Sequence, residues 1–164
     1  MSPINRLGRL VAWIDRMPAA WRPWLLSRLF GGAVKFAGTA KVRVDSLAFG
    51  RAELSIRNRG RVQNHIKGVH AAAMALLGES ATGFLTGLHV PDDRVPLLKS
   101  MHVDYLSRAK GDLKAVASLS QEQIALIRDT DKGELVVPVV ITDEEGKEPI
   151  RCEYVWAWVP KRRR

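Results

Sequence analysis

Residues 64–80 read NHIKGVHAAAMALLGES, and the run continues as ATGFLTGL to Leu88. Between Val69 and Leu88 there is no Lys or Arg and a single acid, Glu79, in a stretch rich in Ala and Leu. Those residues favour helix, and a helix that is apolar nearly all round is a buried one. Glu79 is out of place in it, because an ionised carboxylate in apolar surroundings is costly unless something compensates it. A solvent strip beside Ser80 and Thr82, a buried Arg partner, or a chemical role would each account for it. His70, at the start of the run, is open to the same choice between a capping or core histidine and a working one.

Outward from this helix the period changes. Val42 and Val44 alternate with charged neighbours, and after a turn near Phe49 and Gly50 so do Leu54 and Ile56, which reads as two strands. Beyond the helix, four strands are expected at Leu97–Leu106, Asp112–Leu119, Glu134–Thr142 and Ile150–Val159. A short helix, Gln121–Arg128, interrupts them, and the Glu144–Lys147 turn is expected to join the last two as a hairpin. The class is α+β: an antiparallel sheet with one apolar helix lying on it.

Before residue 41 the pattern is helical. Ile4, Leu7, Val11, Ile14 and Met17 recur at three- and four-residue steps, giving an amphipathic helix. Trp21, Pro23, Trp24, Leu25 and Leu29 suggest a second helix ending near Phe30 at Gly31 and Gly32. This 1–40 extension carries three Trp and six basic residues; it either packs across the main domain or a dimer partner, or makes peripheral contact with an anionic membrane surface.

The 164 residues bear 26 Lys and Arg against 17 Asp and Glu, a formal +9. Apportioned, +5 belongs to residues 1–40 and +4 to the tail 161–164, while the domain over 41–160 is neutral. With the excess at the ends and no recognisable reading element, nucleic-acid binding is not expected. No run approaches the roughly 20 uninterrupted apolar residues of a membrane span, and one cysteine makes no disulfide framework. A cytoplasmic protein is expected, peripheral at a membrane if the extension acts there. His65, His89 and His102 are scattered without metal-ligand spacing, so no metal is expected.

Asn64, His70 six residues on and Glu79 nine further resemble the Asn, His-Gly-Gly and Asp/Glu pattern of hotdog-fold acyl-CoA thioesterases of the phenylacetate-degradation type. The likeness covers about residues 40–160, including VDYLSRAKGDLKAVASL, and SQEQIALIRD points to a poorly characterised hotdog subfamily. It implies an antiparallel sheet wrapped around one long central helix, with an N-terminal helical extension added here. It further implies hydrolysis of an acyl-CoA thioester at composite sites in a homodimer or homotetramer, with coenzyme A as part of the substrate and no separate cofactor. Asn64 would hold the carbonyl or the water, His70 orient the thioester, and the backbone N–H of Ala71 receive the oxyanion at the helix N-terminus. Glu79 would be general base or nucleophile. Nine helical residues advance about 13 Å and half a turn net, so one chain does not bring its own His70 and Glu79 together.

Arg57, Arg59, Arg61 and Lys67 before the helix, with Arg108 and Lys110 on a later turn, are candidates for the coenzyme phosphates or simply a solvated basic loop. Two departures stand out. Ala71 and Ala72 replace the family's paired glycines, and Leu98 or Lys99 stands where relatives carry a water-holding Ser or Thr. Alternatives are a non-catalytic acyl-CoA-binding or membrane-associated hotdog module and, from the fourteen-residue spacing of His65 and Glu79, a hydroxyacyl-thioester dehydratase.

Overall fold

The computed structural model describes residues 5–161. Three helices come first, α1 (Arg6–Ile14), α2 (Arg22–Ala33) and α3 (Lys35–Ala40), then strands β1 (Arg43–Ala48) and β2 (Arg51–Ile56). The long helix α4 (Ala71–His89) precedes β3 (Arg94–Tyr105) and β4 (Leu113–Ser118); α5 (Gln121–Asp129), β5 (Gly133–Val136), β6 (Val139–Asp143) and β7 (Ile150–Pro160) complete the chain. Helix α4 is buried along most of its length, and the strands curl round it. Among the described helices it alone is long and apolar enough to cross a membrane, and here it is the core.

All pairings are antiparallel, in the orders β1-β2-β4-β6 and β3-β7-β5. The expected single strand Glu134–Thr142 is two. Its first half pairs with β7 and its second with β4, because Pro138 has no N–H to continue one ladder. At the joint, Val137 N–H donates to Tyr154 and the carbonyl of Pro138 accepts from Ser118, so the chain passes from the three-stranded sheet to the four-stranded one at this crease. The expected hairpin is also corrected. A turn does follow Asp143, whose carboxylate accepts from the N–H groups of Lys110, Glu145 and Lys147, but β6 pairs with β4 while β7 pairs with β3 and β5.

On β4, Leu113, Ala115 and Ala117 face inward, small enough to let α4 approach; on β7, Tyr154, Trp156 and Trp158 do so. The aromatic row needs glycines opposite. A Cβ on Gly78 would meet the Tyr154 hydroxyl at 2.5 Å, and one on Gly83 the Trp156 ring at 2.5 Å. Both rings are also tied to α4, Tyr154 by donating to the carbonyl of Ala75 (2.8 Å) and Trp156 to the hydroxyl of Thr82 (2.9 Å).

Gly31 and Gly32 do not stop α2, which runs through them to Ala33, and α3 follows at once. Gly31 serves a close approach instead: a Cβ on Gly38 would lie 2.5 Å from its carbonyl oxygen. Of the expected stripe on α1, Val11 and Ile14 are buried, while Ile4 lies outside the described residues. The Asn5 side chain donates to the carbonyls of Gly87, Leu88 and Val90, satisfying groups that the end of α4 leaves open. Helix α2 lies along β1, where the Ser27 hydroxyl accepts from the N–H of Val44 (2.9 Å) and donates to the carbonyl of Pro23 one turn back (2.6 Å).

His89, the last residue of α4, is fully buried and edge-to-face with Phe49, and neither ring nitrogen has a hydrogen-bond partner among the described residues. Burial pushes its pKa down to about 4, and the positive Arg128 nearby acts the same way. Between there and the ordinary 6.5 the unfolded chain binds a proton that the folded one refuses. The folded state should therefore lose about 2 kcal/mol between pH 7 and pH 5, and a His89→Gln variant should lack that part of the slope. Urea midpoints at the two pH values measure it; parallel slopes in both proteins would sink the assignment.

Candidate functional site

Glu79 sits at mid-helix on the wall of an apolar cavity of about 300 Å³. Gly83, Phe84 and Trp156 line it from the core, and Leu29 and Phe30 of α2 close it from outside. Phe30 and Phe84 stack with ring centres 4.7 Å apart, which fixes this roof. Burial pushes the Glu79 carboxyl above the ordinary carboxylate range, with the Ser80 hydroxyl acting against this to a smaller extent. Ser80 is itself buried on the cavity wall, and its hydroxyl meets no partner at hydrogen-bonding geometry. Among the described residues no cation pairs with this half-buried carboxyl, which faces a space lined mainly by apolar side chains.

The other end of the constellation is the start of α4. His70 is the N-cap: its Nδ1 accepts from the N–H of Ala72 (3.0 Å), so a neutral ring carries its proton on the exposed Nε2. Its backbone carbonyl accepts from Ala73 and Met74. The N–H of Ala71 has no partner among the described residues, and it points out of the positive end of a nineteen-residue helix. Tyr105, at the end of β3, donates to the carbonyl of Ala71 (2.9 Å) and holds this first turn against the sheet.

Asn64 builds the loop leading into the helix. Its side-chain oxygen accepts from the N–H groups of Ile66 and Gly68 (3.1 and 3.0 Å), which leaves its amide NH₂ available to a ligand. Lys67 adopts a left-handed conformation (φ 59°) in that loop, and Arg108 donates to the carbonyl of Ile66 (2.9 Å), clamping it. Arg57, Arg59 and Arg61 line a recess of about 290 Å³ together with Lys41 and Arg43. Lys110 is turned the other way, in an ion pair with Glu145 (2.7 Å).

Within one chain, then, Asn64, His70 and Ala71 are gathered at the helix start, and Glu79 lies apart, in a cavity that they do not line. Sequence reasoning missed Tyr105, Ser80 and the roof residues Leu29 and Phe30. Ser80 was adjacent to the one acid of the helix, a signal that was present; the others are joined to the site only by the fold. Leu98 and Lys99 fall at a bulge in β3, where Lys99 pairs with Glu134.

A comparison with the curated proteins finds no match. Among solved structures, a structural-genomics protein, APC5556, is 28% identical with a TM-score of 0.73, covering 94% of this chain and 99% of its own. A Pseudomonas aeruginosa protein described as a probable thioesterase is 25% identical with a TM-score of 0.75 (85% and 97% covered). A Haemophilus influenzae thioesterase shares the fold alone at 13% identity and a TM-score of 0.68 (84% and 90% covered). The wrapped sheet and long central helix are those of the hotdog fold. Residues 22–159 match DUF4442, a domain of unknown function, and the chain belongs to that family.

Proposed function

We propose that the protein hydrolyses acyl-CoA thioesters to free acid and coenzyme A at a site completed by a second copy. The observation that carries this reading is Glu79: a carboxyl with raised pKa on the wall of an apolar cavity, in a fold whose 25%-identical relative is described as a probable thioesterase. The acyl chain would occupy the cavity. The thioester carbonyl would lie at the helix start of one copy, polarised by the Ala71 N–H and oriented by His70 and the amide of Asn64. The partner's Glu79 would take a proton from water as the water oxygen attacks the carbonyl carbon, then return it to the departing sulfur. Coenzyme phosphates would be met by Arg57, Arg59 and Arg61.

What supports a second copy is β3. It is twelve residues long, paired with β7 on one side only among the described residues, and Leu97, Met101 and Tyr105 are exposed on it. A long open edge with apolar side chains is a template for an antiparallel partner.

The test uses a panel of acyl-CoAs of increasing chain length and a thiol-detecting reagent. Release of free thiol is expected from wild type. His70→Ala and Glu79→Gln should each be nearly inactive alone, yet co-assembled they should recover about a quarter of wild-type activity, because about half of the dimers are mixed and one of the two sites in each mixed dimer is intact. A mixture as dead as its components would reject the shared site. Acyl-CoA binding without thiol release by wild type would favour the non-catalytic module instead.

A further inference from the structure

We infer that the outer face of α2 and α3 is a docking surface for an anionic lipid bilayer. The protein has five tryptophans, and their placement divides them by element. Trp156 and Trp158 are buried in β7, whereas Trp13, Trp21 and Trp24 on the leading helices are 50%, 63% and 62% exposed, and Phe36 on α3 is 66% exposed. Among the described residues Phe36, Trp21 and Trp24 are the three most exposed large apolar side chains. Tryptophan left half in water on a soluble face is costly, and its ring with one polar N–H is suited to the boundary between headgroups and acyl chains.

The second observation is charge. Trp24 itself lines a recess of about 960 Å³, whose other lining residues include Arg28, Lys35, Lys41, Arg43 and Arg61 and, among the described residues, no acid. Of these, Arg43 pairs with Asp45 (2.9 Å). The Arg28 guanidinium lies 5.6 Å from the centre of the Trp24 ring, which joins the aromatic and basic parts into one surface. Ala20 lines both this recess and the shallow one between Trp21 and Trp24, so the two parts are continuous.

A basic recess rimmed by exposed indoles is complementary to phosphate diesters at a surface with hydrocarbon beneath. A second copy meeting this face with the same face would offer nothing of matching charge, since that face is equally basic. Helix α2 links this surface to the proposed site, because its opposite side supplies Leu29 and Phe30 to the Glu79 cavity. The docking inference itself does not depend on what that cavity does.

The full-length protein is sedimented with vesicles of phosphatidylcholine alone and of phosphatidylcholine mixed with phosphatidylglycerol. It should pellet with the mixed vesicles at low ionic strength, remain in solution with the neutral ones, and be released by salt. Tryptophan emission should shift to the blue on binding, and that shift reports the leading helices because the β7 indoles are already buried. Trp21→Ala/Trp24→Ala and, separately, Arg28→Glu/Lys35→Glu should each lower partitioning at least about tenfold. Both variants should keep the wild-type circular dichroism spectrum, since all four side chains are on the surface. Equal partitioning to neutral and anionic vesicles, no binding to either, or wild-type partitioning by either double variant would overturn the inference. So would a change in oligomeric size in the tryptophan variant without a loss of vesicle binding, which would assign the face to a second copy.

Discussion

Glu79→Gln is expected to lower thioester hydrolysis by about two to four orders of magnitude while leaving the fold as stable as wild type or more so. The two effects have one cause. Burial disfavours the charged carboxylate, which raises the pKa and keeps a base with few competing partners. A group whose folded pKa is raised binds its proton more tightly when folded, so at neutral pH the carboxylate form detracts from stability, and the deficit vanishes as pH falls below its ordinary 4.5. Gln keeps the shape and removes the charge. Its unfolding midpoint should match wild type in acid and equal or exceed it at pH 8. Wild-type kcat/KM should rise with pH over a range lying above the ordinary carboxylate value. Full activity in the Gln variant would remove Glu79 from the chemistry, and a large loss of stability at pH 8 would mean that the carboxylate was a structural group.

Gly78→Ala should destabilise the protein by about 3 kcal/mol, although alanine is the better helix former by about 1 kcal/mol. The added methyl would lie 2.5–2.8 Å from three atoms of the Tyr154 ring. Tyr154 has nowhere to retreat: it is fully buried and its hydroxyl is bonded to the Ala75 carbonyl one turn away. Moving it sacrifices that bond and opens the packing of β7 on α4. The midpoint of thermal unfolding should drop by roughly 8 °C, at about 2–4 °C per kcal/mol for a chain of this size. Gly32→Ala is the control, with no atom within 4 Å of the new methyl and a helical backbone around it. It should stabilise slightly, so the same exchange has opposite signs at two helical positions. A Gly78→Ala protein as stable as wild type would show that Tyr154 is not held in this way.

What could be read from the sequence follows the range of each interaction. Helix α4 was legible because its residues all point to one environment, and α5 because the Ser120–Gln123 capping box is local. The alternation of β1, β2, β4 and β7 was legible for the same reason. The crease at Pro138 was not, since an apolar run reads as one strand until its two halves are known to have different neighbours. Gly31 was misread as a stop because its purpose, contact with Gly38, depends on how two helices meet. Glu79 announced itself by chemical contrast with its surroundings. The walls of its cavity did not, because Leu29 and Phe30 lie some fifty residues away and reach it only through the docking of α2.

Four strands edge the two sheets, β1, β6, β3 and β5, and the chain treats β1 and β3 differently. At β1 the N–H of Val44 is engaged by Ser27 and α2 lies along the strand, whereas β3 has no strand on its outer side among the described residues. Pairing two copies through β3 about a two-fold axis would use that edge of both at once, so the contact would close on itself rather than offer β3 to a third copy.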